Sequence, residues 1–175
     1  MKQRVGVVGY GTYIPDHYMT AKEIAAATLG VWAESAITEK LGSVKKTIPG
    51  KDDGTQEMGV RAAKAALAQG NIDPKDLDVI LCIGEEWKEY PLTTSAMYIQ
   101  GAIGAINAWG LDVQNRCCTT CSAIKVAKDM LIADDEINMI MVVGGYRHGD
   151  SVEYADKNMS LMFDLAAGAS ALLLK

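Results

Sequence analysis

The stretch WGLDVQNRCCTTCSAIKVAKDMLIA, from Trp109 to Ala133, decides the reading of this chain. Trp109-Gly110-Leu111-Asp112-Val113-Gln114 is strand-like, Cys118 to Ala133 is helical, and Cys117 falls at the junction. A thiol at a helix N-terminus faces the positive end of the macrodipole and the unpaired N–H groups of the first turn, both of which favour thiolate over thiol. The segment Ser122 to Ala133 is apolar on most of its circumference, which predicts a buried helix. A buried helix that aims its first residue at a cleft is a rigid platform for a nucleophile.

Working outward, Val5 to Gly9 reads as a buried first strand and Gly9 to Pro15 as the irregular loop that leaves it. Thr20 and Glu23 have capping-box spacing ahead of a helix Ala21 to Leu29, and a second helix is expected over Val31 to Leu41. Ile48 to Gly54 reads as a surface loop, Thr55 starts a helix Gln56 to Gln69, and Gly70 stops it. Asp78 to Gly84 is a second buried strand, and a helix runs from Thr93 or Thr94 to near Gly104. Asn138 to Gly145 is a further strand, and Ala166-Ala167-Gly168 turns the chain into a last strand, Ala169 to Leu174. Strands alternating with helices predict an α/β fold with a mostly parallel sheet and helices on both faces.

With 175 residues, 49% of them hydrophobic, one domain spanning 1–175 and one compact unit are expected. The net charge of −5 comes with no basic stripe, which speaks against nucleic acid and anionic membranes as partners. Met1-Lys2-Gln3-Arg4 runs straight into a strand without a signal-peptide core, and no apolar run approaches a membrane span, a cytoplasmic pattern. In that compartment the four cysteines are thiols rather than staples, with Cys118 and Cys121 expected in a pocket or the core. Cys117, Cys118 and Cys121 with His148 do not make a zinc site, since two of the thiols share one helix and a second pair is missing. Gly9 and Gly11 form G-x-G, but Ile14-Pro15 stands where a dinucleotide fingerprint needs its third glycine. Met139, Met141, Met159 and Met162 are expected to pack the sheet.

Four segments in one order carry a resemblance. These are Gly9-Tyr10-Gly11-Thr12-Tyr13-Ile14-Pro15 with Met19-Thr20 and Glu23-Ile24, then Gly70 to Ile80, then Asp112-Val113 followed by Cys117 and Ala123, and lastly Glu153 to Asn158 with Leu161-Met162-Phe163 and Ala167-Gly168-Ala169. Together they resemble the N-terminal half of a 3-oxoacyl-acyl-carrier-protein synthase III, a condensing enzyme of the thiolase superfamily. The resemblance implies a thiolase-like half with a mixed five-stranded sheet, Cys117 as the acyl-accepting nucleophile, and no cofactor beyond acyl-CoA as substrate. It implies acyl-CoA and acyl-carrier protein as partners, and a homodimer paired along the Trp109 to Val113 edge. It also implies that the 175 residues are a fragment, inactive alone, because the family's His and Asn come from its second half; His17 and His148 fall in loops. The apolar side of the helix after Cys117, including Ala123, Ile124, Val126, Ala127, Met130 and Leu131, is then expected to lie open.

The sequence departs from the family pattern in three places. Cys118-Thr119-Thr120 replaces a small residue and a glycine after the nucleophile, and Asp164-Leu165-Ala166-Ala167-Gly168-Ala169 lacks two of the closing glycines. Lys45 and Lys46 stand in for the arginine-rich coenzyme A patch, with ammonium groups that lack guanidinium's fork. Glu86 falls where the related 3-hydroxy-3-methylglutaryl-CoA synthases carry their acid/base glutamate, which makes that reaction the enzymatic alternative. A non-catalytic assembly module is the alternative of a different class.

Overall fold

A computed structural model of the chain describes residues 4–84 and 88–175. In chain order the elements are β1 (Val7–Tyr13), β2 (Tyr18–Thr20), α1 (Ala21–Ala27), α2 (Glu34–Lys40), β3 (Lys45–Thr47) and α3 (Thr55–Gly70). They continue with β4 (Val79–Cys82), α4 (Ser95–Ile103), β5 (Trp109–Asp112), α5 (Thr119–Ala133), β6 (Ile140–Arg147) and β7 (Ala167–Leu174). Where composition predicts one compact unit, the backbone divides into two. The first holds the residues up to Tyr13, Gly54–Tyr146 and Ala169–Lys175; the second holds Ile14–Asp53 and Arg147–Gly168.

In the first unit a five-stranded sheet has the order β1-β7-β6-β4-β5, with β4 parallel to β5 and to β6, and β1 antiparallel to β7. This is the mixed five-stranded sheet that the resemblance implies. All four residues of β4 are buried, as is the run Ile140 to Gly145 of β6, because these strands are covered on both faces. On one face Val79, Leu81, Ile83, Ile140, Val142 and Leu174 pack against Ala123, Ala127 and Leu131 of α5. The two-residue period of a strand turns Ile80, Cys82, Met141 and Val143 to the other face. There α3 and α4 close in: a Cβ at Gly145 would come within 2.2 Å of the Thr55 carbonyl oxygen, and one at Gly110 within 2.8 Å of Ala96 Cβ.

The Gly9-Tyr10-Gly11 segment is not a loop but the body of β1, which pairs with β7 from Val7↔Leu174 to Tyr13↔Ala169. The two glycines are there for packing. A Cβ at Gly11 would lie 2.3 Å from the backbone N of Ala66 and 2.4 Å from the Ala62 carbonyl oxygen. The strand therefore rests directly on the backbone of α3, on a surface that small residues keep shallow. Gly70 belongs to the same contact and stays helical, while Asn71 in the left-handed region (φ 52°) ends the helix in its place. The expected burial of Val7 and Val8 is also corrected, since they are 58% and 40% exposed.

Helix α5 is buried along one stripe only, Thr119, Ala123, Ala127 and Leu131, the i, i+4 face seated on the sheet. The expectation of burial around most of its circumference fails because only one layer covers it; Val126 and Ile132 are 40% and 37% exposed. For the same reason Ala123, Ala127 and Leu131 are not part of an open apolar face. Other boundaries move by a few residues: β5 ends at Asp112, β6 extends to Arg147, and β7 begins at Ala167, taking in most of the expected turn.

The second unit contains an antiparallel pair that the sequence did not signal, β2 with β3, registered Tyr18↔Thr47, Met19↔Lys46 and Thr20↔Lys45. Three-residue strands are too short to show a period. The expected capping box of α1 is present: Glu23 N donates to Thr20 Oγ1 at 3.3 Å, and Thr20 N donates to Glu23 Oε2 at 2.7 Å. The core of this unit gathers Ala21, Ile24, Ile37, Val152 and Phe163, with Trp32 set edge-on to Phe163 at 5.9 Å.

The β1–α3 contact gives a direct test. Gly11→Val is expected to destabilise the chain by about 3 kcal/mol or more in urea unfolding, the upper end of overpacking costs. Gly101→Ala in α4, where an added Cβ meets nothing within 4 Å, is expected to stabilise by about 0.5–1 kcal/mol. Equal small effects from both would show that β1 does not lie on α3 as described.

Candidate active site

The segment that carries Cys117 is anchored where β5 ends. The Asp112 carboxylate accepts from the backbone N–H groups of Ser95 (3.0 Å) and Ala96 (2.9 Å) in the first turn of α4, and from Lys88 Nζ at 2.6 Å. Lys88 also donates to the Thr93 carbonyl at 3.1 Å. A carboxylate at a helix N-terminus satisfies orphan donors and faces the positive end of the dipole. The strand end is thus fixed to α4, and Val113 N continues the register by donating to Cys82 O at 2.8 Å.

Between β5 and α5 the backbone reverses sharply. Arg116 is left-handed at φ 51°, and Arg116–Cys118 form a 3-10 turn. A non-glycine residue held there costs about 1–2 kcal/mol. Thr119 offsets it: its Oγ1 donates to Arg116 O at 2.7 Å and accepts from Asn115 N at 2.8 Å. Asn115 Nδ2 donates to Ser122 Oγ at 2.8 Å, and Cys118 N to Asn115 O at 3.1 Å. Thr119 is only 3% exposed, so this clasp is shielded from water on the sheet side. Cys117 projects from the turn and is exposed.

The helix begins one residue later than expected, with Cys118 as its N-cap and Thr119 as its first residue. Cys118 and Cys121 are exposed, not in a pocket or the core, because they lie on the side of the first turn away from the Thr119 stripe. Cys82 is the buried thiol, 2% exposed. Burial first, and then the negative charge of Asp112, pushes it up to about 12, against the opposing effects of the Gly84 backbone and Lys88.

The two lysines belong to the second unit and differ. Lys45 is exposed, with its ammonium 4.8 Å from the centre of the Tyr18 ring. Lys46 is 5% exposed, donates to Leu165 O at 2.8 Å, and lies 4.9 Å from the centre of the Tyr154 ring. Burial draws its ammonium down to about 8, with Asp164 opposing. Its charge is used inside the fold, which leaves Lys45 as the member of the pair that faces solvent. Glu86 lies outside the described residues. Among the described residues no three His, Cys, Asp or Glu side chains are grouped to hold a metal ion.

Several residues that build the site's surroundings escaped the sequence reading. Glu89 caps α3 from a distant loop, its Oε2 accepting from Thr55 Oγ1 at 2.7 Å and its Oε1 from Gln56 N at 2.9 Å. Gly54 leaves the space, since a Cβ there would fall 1.7 Å from Glu89 Oε1. Asp112, acting on α4, is the same device. Neither has a local spacing to betray it, whereas Asn115 and Thr119 flanking a helix start are residue types that favour local backbone bonds and offered a usable signal.

Comparison with known proteins agrees with this geometry. The family model for 3-oxoacyl-[acyl-carrier-protein (ACP)] synthase III matches residues 111–175. Hydroxymethylglutaryl-CoA synthase of Methanopyrus kandleri is 31% identical over 98% of this chain and 47% of its own length. Beta-ketoacyl-[acyl-carrier-protein] synthase III of Syntrophomonas wolfei is 28% identical over 97% of this chain and 50% of its own. Among solved structures, a priming β-ketosynthase of a polyketide biosynthetic pathway superposes with a TM-score of 0.89 at 26% identity, covering 99% of this chain and 50% of that one. Xanthomonas campestris OleA, at 21% identity and a TM-score of 0.86, covers 99% of this chain and 57% of its own and shares the fold. The fold is that of the thiolase-like ketosynthases. Within that class the chain is similar to the N-terminal half of 3-oxoacyl-[acyl-carrier-protein] synthase III-like proteins. It spans about half the length of the curated relatives it matches.

Iodoacetamide labelling of the native chain near pH 8 with peptide mapping is expected to modify Cys117 and to leave Cys82 unmodified until denaturant is added. The reason is that Cys82 is enclosed and remains a protonated thiol far above that pH. Labelling of Cys82 ahead of Cys117 would contradict the placement of both.

Proposed function

We propose that this chain supplies the nucleophile of a condensing enzyme that makes 3-oxoacyl chains. The observation that carries the reading is the exposed Cys117 on a clamped turn between a parallel strand and a helix N-terminus. In the first half-reaction Cys117 Sγ attacks the carbonyl carbon of an acyl-CoA. The tetrahedral oxyanion collapses, coenzyme A leaves as its thiol, and the acyl group remains as a thioester on Cys117. Backbone N–H groups, that of Cys117 among them, would stabilise the oxyanion. In the second half-reaction malonyl-acyl-carrier-protein loses carbon dioxide, and the resulting carbon nucleophile displaces the Cys117 thiolate to give 3-oxoacyl-acyl-carrier-protein. A thiolate suits both steps, because a thioester forms from another thioester at little cost in free energy and is then a good acyl donor to carbon.

No redox or metal cofactor enters this scheme. Lys45 would contact the coenzyme A phosphates, and the His and Asn that polarise the thioester carbonyl in the family would come from a second half. The β5 edge of the sheet, with Trp109 48% exposed, is where a second copy would pair to form a homodimer. Among the described residues no helix is long and apolar enough to cross a membrane.

The similarity to a hydroxymethylglutaryl-CoA synthase favours a second reading. In it Cys117 is acetylated, Glu86 removes a proton from the acetyl methyl group, the carbanion adds to the ketone of acetoacetyl-CoA, the alkoxide takes up a proton, and water hydrolyses the Cys117 thioester to free the product and the thiol.

With the chain at the length of its relatives, incubation with acetyl-CoA is expected to add one acetyl mass. Cys117→Ala is expected to lose the adduct, whereas Cys118→Ala and Cys121→Ala keep most of it. An undiminished adduct in Cys117→Ala would place the nucleophile elsewhere. Consumption of the acyl-enzyme by malonyl-acyl-carrier-protein supports the first reading; consumption by acetoacetyl-CoA alone overturns it for the second.

A further inference from the structure

Three of the four cysteines fall within the five residues Cys117 to Cys121, and all three are exposed. Free cysteine is among the most buried of residue types, so exposed thiols at such density call for an explanation. The acyl chemistry proposed above uses one. The other two, Cys118-Thr119-Thr120-Cys121, form a C-x-x-C on the first turn of α5, with Cys118 at the N-cap. That spacing at a helix start is a pattern associated with dithiol exchange.

The local geometry places both thiols on one side of the helix start. At ~100° per residue Cys118 and Cys121 stand about 60° apart around the helix, on the side away from buried Thr119. In a regular α-helix the Cβ atoms of such a pair lie about 5–6 Å apart, more than the roughly 3.5–4.5 Å that a disulfide requires. Cys118, however, is not in regular helix: it ends the 3-10 turn and has φ −96° and ψ 6°. The pair spans the first turn of α5, so closing the gap falls to the off-helix backbone of Cys118 and to rotation of the two side chains. Cys118 makes no side-chain cap hydrogen bond, so its sulfur can move without breaking one. The Asn115–Thr119–Ser122 bonds hold the backbone on either side.

We propose that Cys118 and Cys121 form a redox-active dithiol that exchanges with external disulfides, independently of the chemistry assigned to Cys117. The Cys118 thiolate attacks one sulfur of a low-molecular-weight disulfide; that S–S bond breaks, one thiol leaves with a proton, and a mixed disulfide remains on Cys118. The Cys121 thiolate then attacks the Cys118 sulfur, closing the Cys118–Cys121 bond and releasing the second thiol with the other proton. The protein dithiol is oxidised by two electrons and the external disulfide is reduced to two thiols.

The test is incubation of the native chain with oxidised glutathione, followed by iodoacetamide and peptide mapping. The expected result is loss of alkylation at Cys118 and Cys121 together, in a peptide lighter by a pair of hydrogens, with Cys117 still available. The cross-link is expected to persist in Cys117→Ser and to vanish in Cys118→Ser and Cys121→Ser. Failure of the acyl-enzyme assignment leaves these outcomes unchanged. Mixed glutathione adducts without a cross-link in the wild-type chain would overturn the proposal, as would a cross-link that survives in Cys118→Ser. The wild-type peptide decides the matter if a variant misfolds, and protection of buried Cys82 reports the fold throughout.

Discussion

The contact between one stripe of α5 and one face of the sheet is the constraint on which the candidate site depends. Ala123, Ala127 and Leu131 meet Val79, Leu81, Ile83, Ile140 and Val142, and this fixes the axis of α5 and the place of its first turn. Two of the helix residues are alanines, so the helix can approach the strands closely, and a bulkier residue there would lift it from the sheet. Thr119 begins the same stripe. Its side chain therefore does two things at once: it lies on the buried side of the helix and it ties down the left-handed turn that presents Cys117. Cys117 is exposed while the residue two places after it is buried.

A second theme is the use of distant carboxylates to finish helices. Asp112 reaches from the end of β5 to the first turn of α4, and Glu89 reaches from a loop to the first turn of α3. In both cases orphan N–H donors are satisfied by a charge that also ties together elements far apart in sequence. Asp112 has a further consequence: its charge lies near Cys82 and helps hold that thiol protonated. The cysteine inside the sheet is thereby kept in its thiol form.

Much of this was legible in the residues, and the parts that were not share a cause. The strand, junction and helix around Cys117 could be read because apolar periodicity changes there from two to about 3.6, and the capping box at Thr20 and Glu23 because its signal is local. The Gly9-Tyr10-Gly11 segment was misread as a loop, since glycine marks both turns and close backbone contacts, and only the presence of Ala62 and Ala66 on α3 distinguishes them. Lys46 is expected beside Lys45 in a coenzyme A patch, but the alternation of β3 turns it inward to Leu165 and Tyr154. Glu89 and Asp112 act across separations that no spacing rule reaches. The apolar residues of α5 overstated its burial because the helix has a sheet on one side only.

The central claim is that the clamped turn makes Cys117 the acyl acceptor. A crystal structure of the protein at the length of its relatives, after exposure to an acyl-CoA, tests this most directly. The expected result is acyl density continuous with Cys117 Sγ, with Thr119 still bonded to Asn115 and Arg116. An acyl group on any other side chain, or a turn in which Arg116 has left the left-handed region and Cys117 is buried, would contradict the account.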